Sequence, residues 1–248
     1  LRSSGLLPNR LPLRASRTVV ASDPDVWLFS GCVMDAWMPQ VHDAAQRVIE
    51  ATGFTVGRSG SAVGCCGALH EHAGLRDEAR RLGLRVMEAL PGDREILVDS
   101  AGCCAMLKDY GRLFGTANAE AFSSRVKDVQ EWLVPQLERL PSPLSRSRPV
   151  IVQDPCHLRH VQKIDGATRM VLAPFAPVVE LDDEGLCCGA GGAFSIAQPV
   201  LASEVRRRKM AAIDRAVEHS GASLVVSANP GCALHLEAAG YDVRHPLE

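Results

Sequence analysis

Two cysteine sets of the same shape, one in each half of the chain, restrict this sequence more than any other feature. The first runs Cys32, then Cys65-Cys66 followed by Gly67, then Cys103. The second runs Cys156, then Cys187-Cys188 followed by Gly189, then Cys232. Corresponding positions are offset by 124, 122 and 129 residues. So steady an offset, carried by a rare and reactive side chain, points to a duplicated module whose thiols share one task.

The chain has 248 residues, of which 46% are hydrophobic and 23% charged, enough for two modest cores of ordinary domain size. A net charge of -2 gives no electrostatic footprint for nucleic acid, and no apolar run is long enough to span a bilayer. Nine cysteines invite a disulfide reading, but three features oppose it. The count is odd, neighbouring cysteines pair poorly with each other, and no secretory segment opens the chain. A reducing, cytoplasmic compartment is the expectation. Arg2, Arg10, Arg14 and Arg17 occur without an acidic residue over the first eighteen positions. Residues 1–22 are therefore expected to be a basic linker, the remnant of a missing N-terminal region.

Each half repeats one order of elements. Val26-Trp27-Leu28-Phe29 reads as a buried strand that ends at Cys32, and Val150-Ile151-Val152 as its counterpart that ends at Cys156. A helix and a second strand are expected over 38–52 and 54–57, and again over 165–173 and 177–181. After each Cys-Cys-Gly comes a longer helix. Its apolar stripe reads Leu75, Ala79, Leu82, Val86 and Leu90 in the first half, and Leu201, Val205, Ile213 and Val217 in the second. The run Arg206-Arg207-Arg208-Lys209 within that second helix is expected to be a solvated face. Third strands over 96–98 and 224–226 lead to Cys103 and Cys232. Wholly apolar strands alternating with amphipathic helices predict an α/β fold of two tandem Rossmann-like lobes, each a short parallel sheet flanked by helices. The proline- and serine-rich stretch 141–149 divides them into domains over 23–140 and 147–248. The cysteines then lie where open α/β sheets bind ligands, beyond the carboxyl ends of the strands.

Four soft thiolates at one focus suit an iron–sulfur cluster, so the expected ligands are Cys32, Cys65, Cys66 and Cys103, and Cys156, Cys187, Cys188 and Cys232. Structural zinc is the rival, since four thiolates satisfy it equally well. Zinc sites, however, are commonly built from two short C-x2-C knuckles, whereas these ligands are separated by whole βα units. Cys104 has no partner in the second half and reads as a small buried residue. His157 and His160 follow Cys156 closely and offer either hydrogen bonds to a cluster or helix packing. His70 and His72 are weaker candidates for the same roles. No general base or activated nucleophile stands out, so no catalytic residue is assigned.

With these residues in view, the chain resembles the cysteine-rich CCG domain family. That family includes a component of heterodisulfide reductase, lactate-utilisation iron–sulfur proteins and the iron–sulfur subunit of glycolate oxidase. The resemblance rests on the two Cys-Cys-Gly sets and on three stretches. These are Asp154-Pro155-Cys156-His157-Leu158-Arg159-His160, the segment from Gly102 to Gly111, and Asn229-Pro230-Gly231-Cys232. It extends over residues 26–248 and is nearest to the glycolate oxidase subunit. It implies up to two clusters, of the 4Fe-4S type, in an electron-transfer subunit of a flavin-linked 2-hydroxy-acid (glycolate) dehydrogenase. The implied partners are a flavin (FAD) oxidase subunit, a ferredoxin-like iron–sulfur region on the missing N-terminus or another chain, and a quinone-type acceptor. The implied location is cytoplasmic or peripheral at the inner membrane face. Heterodisulfide reductase carries C-x2-C as the last element of each set. Here Met106 and His235 replace the second cysteine, which disfavours a disulfide-reducing cluster. That reductase and a zinc-stabilised interaction module are the alternatives.

Overall fold

The computed structural model describes residues 23–60 and 63–248, so the expected linker over 1–22 lies outside the described residues. Those residues fall into two compact units, 23–141 and 142–246. Both units follow one plan.

In the first unit, β1 (Val26–Phe29), β2 (Val56–Arg58), β3 (Glu95–Val98) and β4 (Val126–Asp128) form a parallel sheet in the order β2-β1-β3-β4. The central strands are apolar apart from Glu95 at the start of β3, because both sheet faces are covered; Leu28, Ile96, Leu97 and Val98 are sealed from solvent. The crossovers are α1 (Val33–Trp37) with α2 (Pro39–Ala51), then α3 (Ala68–His72) with α4 (Arg76–Ala89). Helices α5 (Ala101–Lys108), α6 (Tyr110–Phe114) and α7 (Ala117–Ser124) lead to β4 and then α8 (Val129–Leu133). On α2, the buried Val41, Ala44, Ala45 and Ile49 recur at helical spacing. On the same face His42 Nδ1 meets Asp99 Oδ2 at 2.5 Å, tying α2 to the end of β3.

In the second unit, β5 (Val150–Val152), β6 (Val178–Val179), β7 (Leu224–Val226) and β8 (Asp242–Arg244) pair in the order β6-β5-β7-β8, again all parallel. A six-residue π-helix, His157–Gln162, and α9 (Asp165–Leu172) connect β5 to β6. Then α10 (Phe194–Ala197) and the 22-residue α11 (Pro199–Ser220) connect β6 to β7, and α12 (Pro230–Glu237) connects β7 to β8.

The expected α/β class and two parallel-sheet lobes are therefore found. Three details differ. The edge strands β4 and β8 were not expected: Val-Lys-Asp and Asp-Val-Arg hold one apolar residue each, so no apolar run marks them. The stripe on α11 is rotated from the one expected. Ala202, Lys209, Ala212, Ile213 and Ala216 are buried, whereas Leu201 is exposed. Leu75, placed on the first stripe, is likewise exposed and precedes α4 as its cap residue.

Candidate metal centres

In each sheet the chain leaves the first strand in opposite directions, towards β2 and β3 or towards β6 and β7. That reversal opens a crevice at the carboxyl ends of the two middle strands, the usual ligand position of open α/β sheets. Cys32 sits at the start of α1 just past β1, and Cys103 in the first turn of α5 just past β3. Cys65 and Cys66 approach from the loop between β2 and α3. The second unit places its cysteines alike: Cys156 at the start of the π-helix, Cys232 in the first turn of α12, and Cys187 with Cys188 in the loop before α10.

The four thiols of each set meet in a chain of contacts. Cys66 Sγ lies 3.3 Å from Cys103 Sγ, and Cys65 hydrogen-bonds both Cys32 and Cys66. In the second set Cys188 Sγ lies 3.0 Å from Cys232 Sγ, and Cys187 hydrogen-bonds both Cys156 and Cys188. All eight expected residues are thus brought together, four and four. Among the described residues no three His, Cys, Asp or Glu side chains surround a position shaped for a single metal ion. The thiols touch in sequence instead.

The backbone favours negative sulfur at one position of each set. The Gly67 amide donates to Cys65 Sγ at 3.4 Å, and the Gly189 amide to Cys187 Sγ at 3.3 Å. Hydrogen bonds from Cys32 and Cys66, this amide and the nearby His70 imidazole hold the Cys65 thiol far below its ordinary range. Cys187 is lowered in the same way, by Cys156 and Cys188, by its amide and by the Lys209 ammonium. Cys32 and Cys156 move upward, because each donates to the neighbouring thiolate and is desolvated. Both glycines are required by shape. Gly67 has φ +85° and a Cβ there would meet the Ala79 carbonyl oxygen at 2.9 Å; Gly189 has φ +90° and would meet that of Ala202 at 2.5 Å.

Several residues have supporting roles that the sequence reading did not assign. Tyr110, fully buried, donates its hydroxyl to the Cys66 carbonyl at 2.8 Å. Asn229 Nδ2 approaches Cys232 Sγ at 3.7 Å. Asp154, just before Cys156, accepts from Arg169 at 2.7 and 2.8 Å and from Arg159 at 3.4 Å, which fixes the turn that presents the cysteine. The basic run expected to be solvated is so only in part. Arg207 and Arg208 are exposed and pair with Glu204, but Arg206 donates to the His235 carbonyl, and Lys209 is buried against Asp183. Its place on the stripe with Ala202 and Ala216 was the available signal. Cys104 is sealed in the apolar core, and burial raises its thiol. His160 reaches the Gly185 carbonyl at 3.4 Å from an exposed position.

The profile of the cysteine-rich domain family, CCG, matches residues 26–108 and 150–237, one match per unit. The glycolate oxidase iron–sulfur subunit of Escherichia coli (strain K12) is 30% identical over 252 residues, covering 96% of this chain and 58% of that protein. A component of the fumarate reductase (CoM/CoB) of Methanothermobacter marburgensis is 31% identical over 86% of this chain and 41% of its own length. Lactate utilization protein A of an Exiguobacterium species is 25% identical, over 91% and 94% respectively. The chain spans about half the length of the first two.

Proposed function

Since the chain belongs to the cysteine-rich CCG domain family and is related to oxidoreductase iron–sulfur subunits, we propose that it is the electron-transfer subunit of a flavin-linked 2-hydroxy-acid dehydrogenase acting on glycolate. The single observation that carries this reading is the meeting of four thiols at the carboxyl end of each sheet. The donor set fits an iron–sulfur cluster: four soft sulfurs per site, with backbone amides aimed at two of the eight. Cys32, Cys65, Cys66 and Cys103 would hold one cluster, and Cys156, Cys187, Cys188 and Cys232 the other. A bound cluster supplies one-electron transfer. The chain's own residues hold the sulfurs, exclude water from Cys66, Cys188 and Cys232, and donate hydrogen bonds to the thiolates. The organic oxidation belongs to a flavin on a partner subunit, with a quinone-type acceptor downstream. Among the described residues no helix is long and apolar enough to cross a membrane; contact with a membrane quinone would be peripheral or through another subunit.

Iron and acid-labile sulfide analysis of anaerobically purified protein, with EPR after reduction, tests the reading. Several irons with matching sulfide and a reversible paramagnetic signal support it. Zinc without sulfide would replace it with a structural metal module, and a signal that changes on adding a disulfide substrate would favour a reductase.

A further inference from the structure

The two lobes share a backbone plan but differ around their sulfurs: the first has an imidazole, His70, near Cys65, and the second a buried lysine. Helix α11 packs on Gly189 so closely that a Cβ there would meet the Ala202 carbonyl at 2.5 Å and the Arg206 amide at 3.0 Å. Seven residues beyond Ala202, two turns along the same face, stands Lys209. It is 1% exposed and forms an ion pair with Asp183, Nζ to Oδ2 2.5 Å. Asp183 lies in the loop that reaches Cys187 four residues later, and Arg206, three residues before Lys209, has its amide against Gly189. In the first lobe Gly67 packs in the same manner on Ala79 of α4. Seven residues beyond Ala79 is Val86, fully buried in an apolar cluster. A second position differs in the same sense. Three residues after the leading cysteine, the first lobe has the buried Asp35, and the second has Arg159.

A buried ion pair is weak evidence for stability, because desolvation offsets much of the attraction. A lysine kept inside the apolar stripe of the helix that packs on the Cys187-Cys188-Gly189 loop calls for another reason. Adding an electron to an iron–sulfur centre makes it more negative, and a fixed positive charge in a low-dielectric interior favours that state. We propose that Lys209 is the buried counter-charge that makes the second thiol set the more oxidising of the two, so that an electron entering the chain comes to rest in the second lobe. This rests on the cluster reading above. Lys209 is a positioning charge and touches no reacting atom.

The test is an EPR-monitored redox titration of the full chain, loaded anaerobically. The wild type should show two midpoint potentials. Lys209→Met should lower one of them by about tenfold in the one-electron equilibrium, ~59 mV, and leave the other in place. Lys209→Arg should restore it, and Asp183→Asn should move the same potential the opposite way. The signal that moves should vanish in Cys187→Ala. A wild type with one shared potential, equal movement of both potentials, or movement of the signal that survives in Cys187→Ala overturns the inference while leaving the clusters in place. If Lys209→Met fails to load iron, Asp183→Asn and Lys209→Arg decide by the same signs. Wild-type protein without iron and labile sulfide overturns the cluster reading itself, and this inference with it.

Discussion

Gly189 shows how narrow the tolerance around the sulfurs is. Its φ of +90° and the 2.5 Å approach to the Ala202 carbonyl leave no room for a methyl group, and the same amide supports Cys187. Gly189→Ala is expected to lose roughly half of the iron, measured as iron per chain, because the Cys187-Cys188 loop must shift away from Cys156 and Cys232. Cys104→Ala, by contrast, should leave iron and EPR signal unchanged, since that thiol lies in the apolar core. Asp128 offers a test through pH. Burial pushes its carboxyl up to about 7, although its Oδ1 accepts from the Gln130 amide at 2.9 Å. Between the unfolded value of about 3.9 and the folded value, the native state keeps a proton that the unfolded chain has lost. Stability therefore falls as pH rises through that window. Asp128→Asn keeps the accepting oxygen and removes the ionisation. Urea unfolding at several pH values should show the variant losing less stability than wild type on going to pH about 8; parallel curves would contradict the assignment.

At the scale of elements, the strands act as rigid mounts for cysteines that lie just past their ends. Ile96 of β3 is fully buried, and β3 leads directly into the turn that carries Cys103. Ile96→Ala should cost about 2–5 kcal/mol in chemical denaturation, and more than any exposed substitution on α4 such as Leu84→Ala. The central strands and main crossover helices could be read from the sequence, because a doubly covered parallel strand carries a nearly continuous apolar run. β1, β3, β5 and β7 accordingly lie within a residue of their expected bounds. The edge strands β4 and β8 could not: three residues with a single apolar member carry no period, and only pairing to β3 or β7 makes them strands. The π-helix after Cys156 was also hidden. It ends at Lys163 with φ +59°, a conformation that lysine seldom adopts and that no glycine announces.

For the whole molecule, duplication has a direct consequence. If each lobe holds its own centre, Cys65→Ala and Cys187→Ala should each remove about half of the iron and sulfide, with different EPR components lost in the two variants. Loss of all the iron in either single variant would mean one shared site and would sink the two-centre arrangement. The glycolate oxidase and fumarate reductase relatives run longer than this chain.

Two classes of information separate cleanly in this protein. The cysteine spacing and the apolar strand runs determined, by themselves, that the chain is a repeated parallel α/β protein with eight thiols on the segments that follow its strands, since those signals are local and periodic. The tertiary structure alone decided that the thiols of each set touch and that α11 turns Lys209 inward instead of Leu201. It also decided that Asp154 is clamped by Arg169. Those outcomes depend on helix rotation and on contacts between residues far apart in sequence; of them, only the inward turn of Lys209 had a local sign, its seven-residue spacing from Ala202 and Ala216.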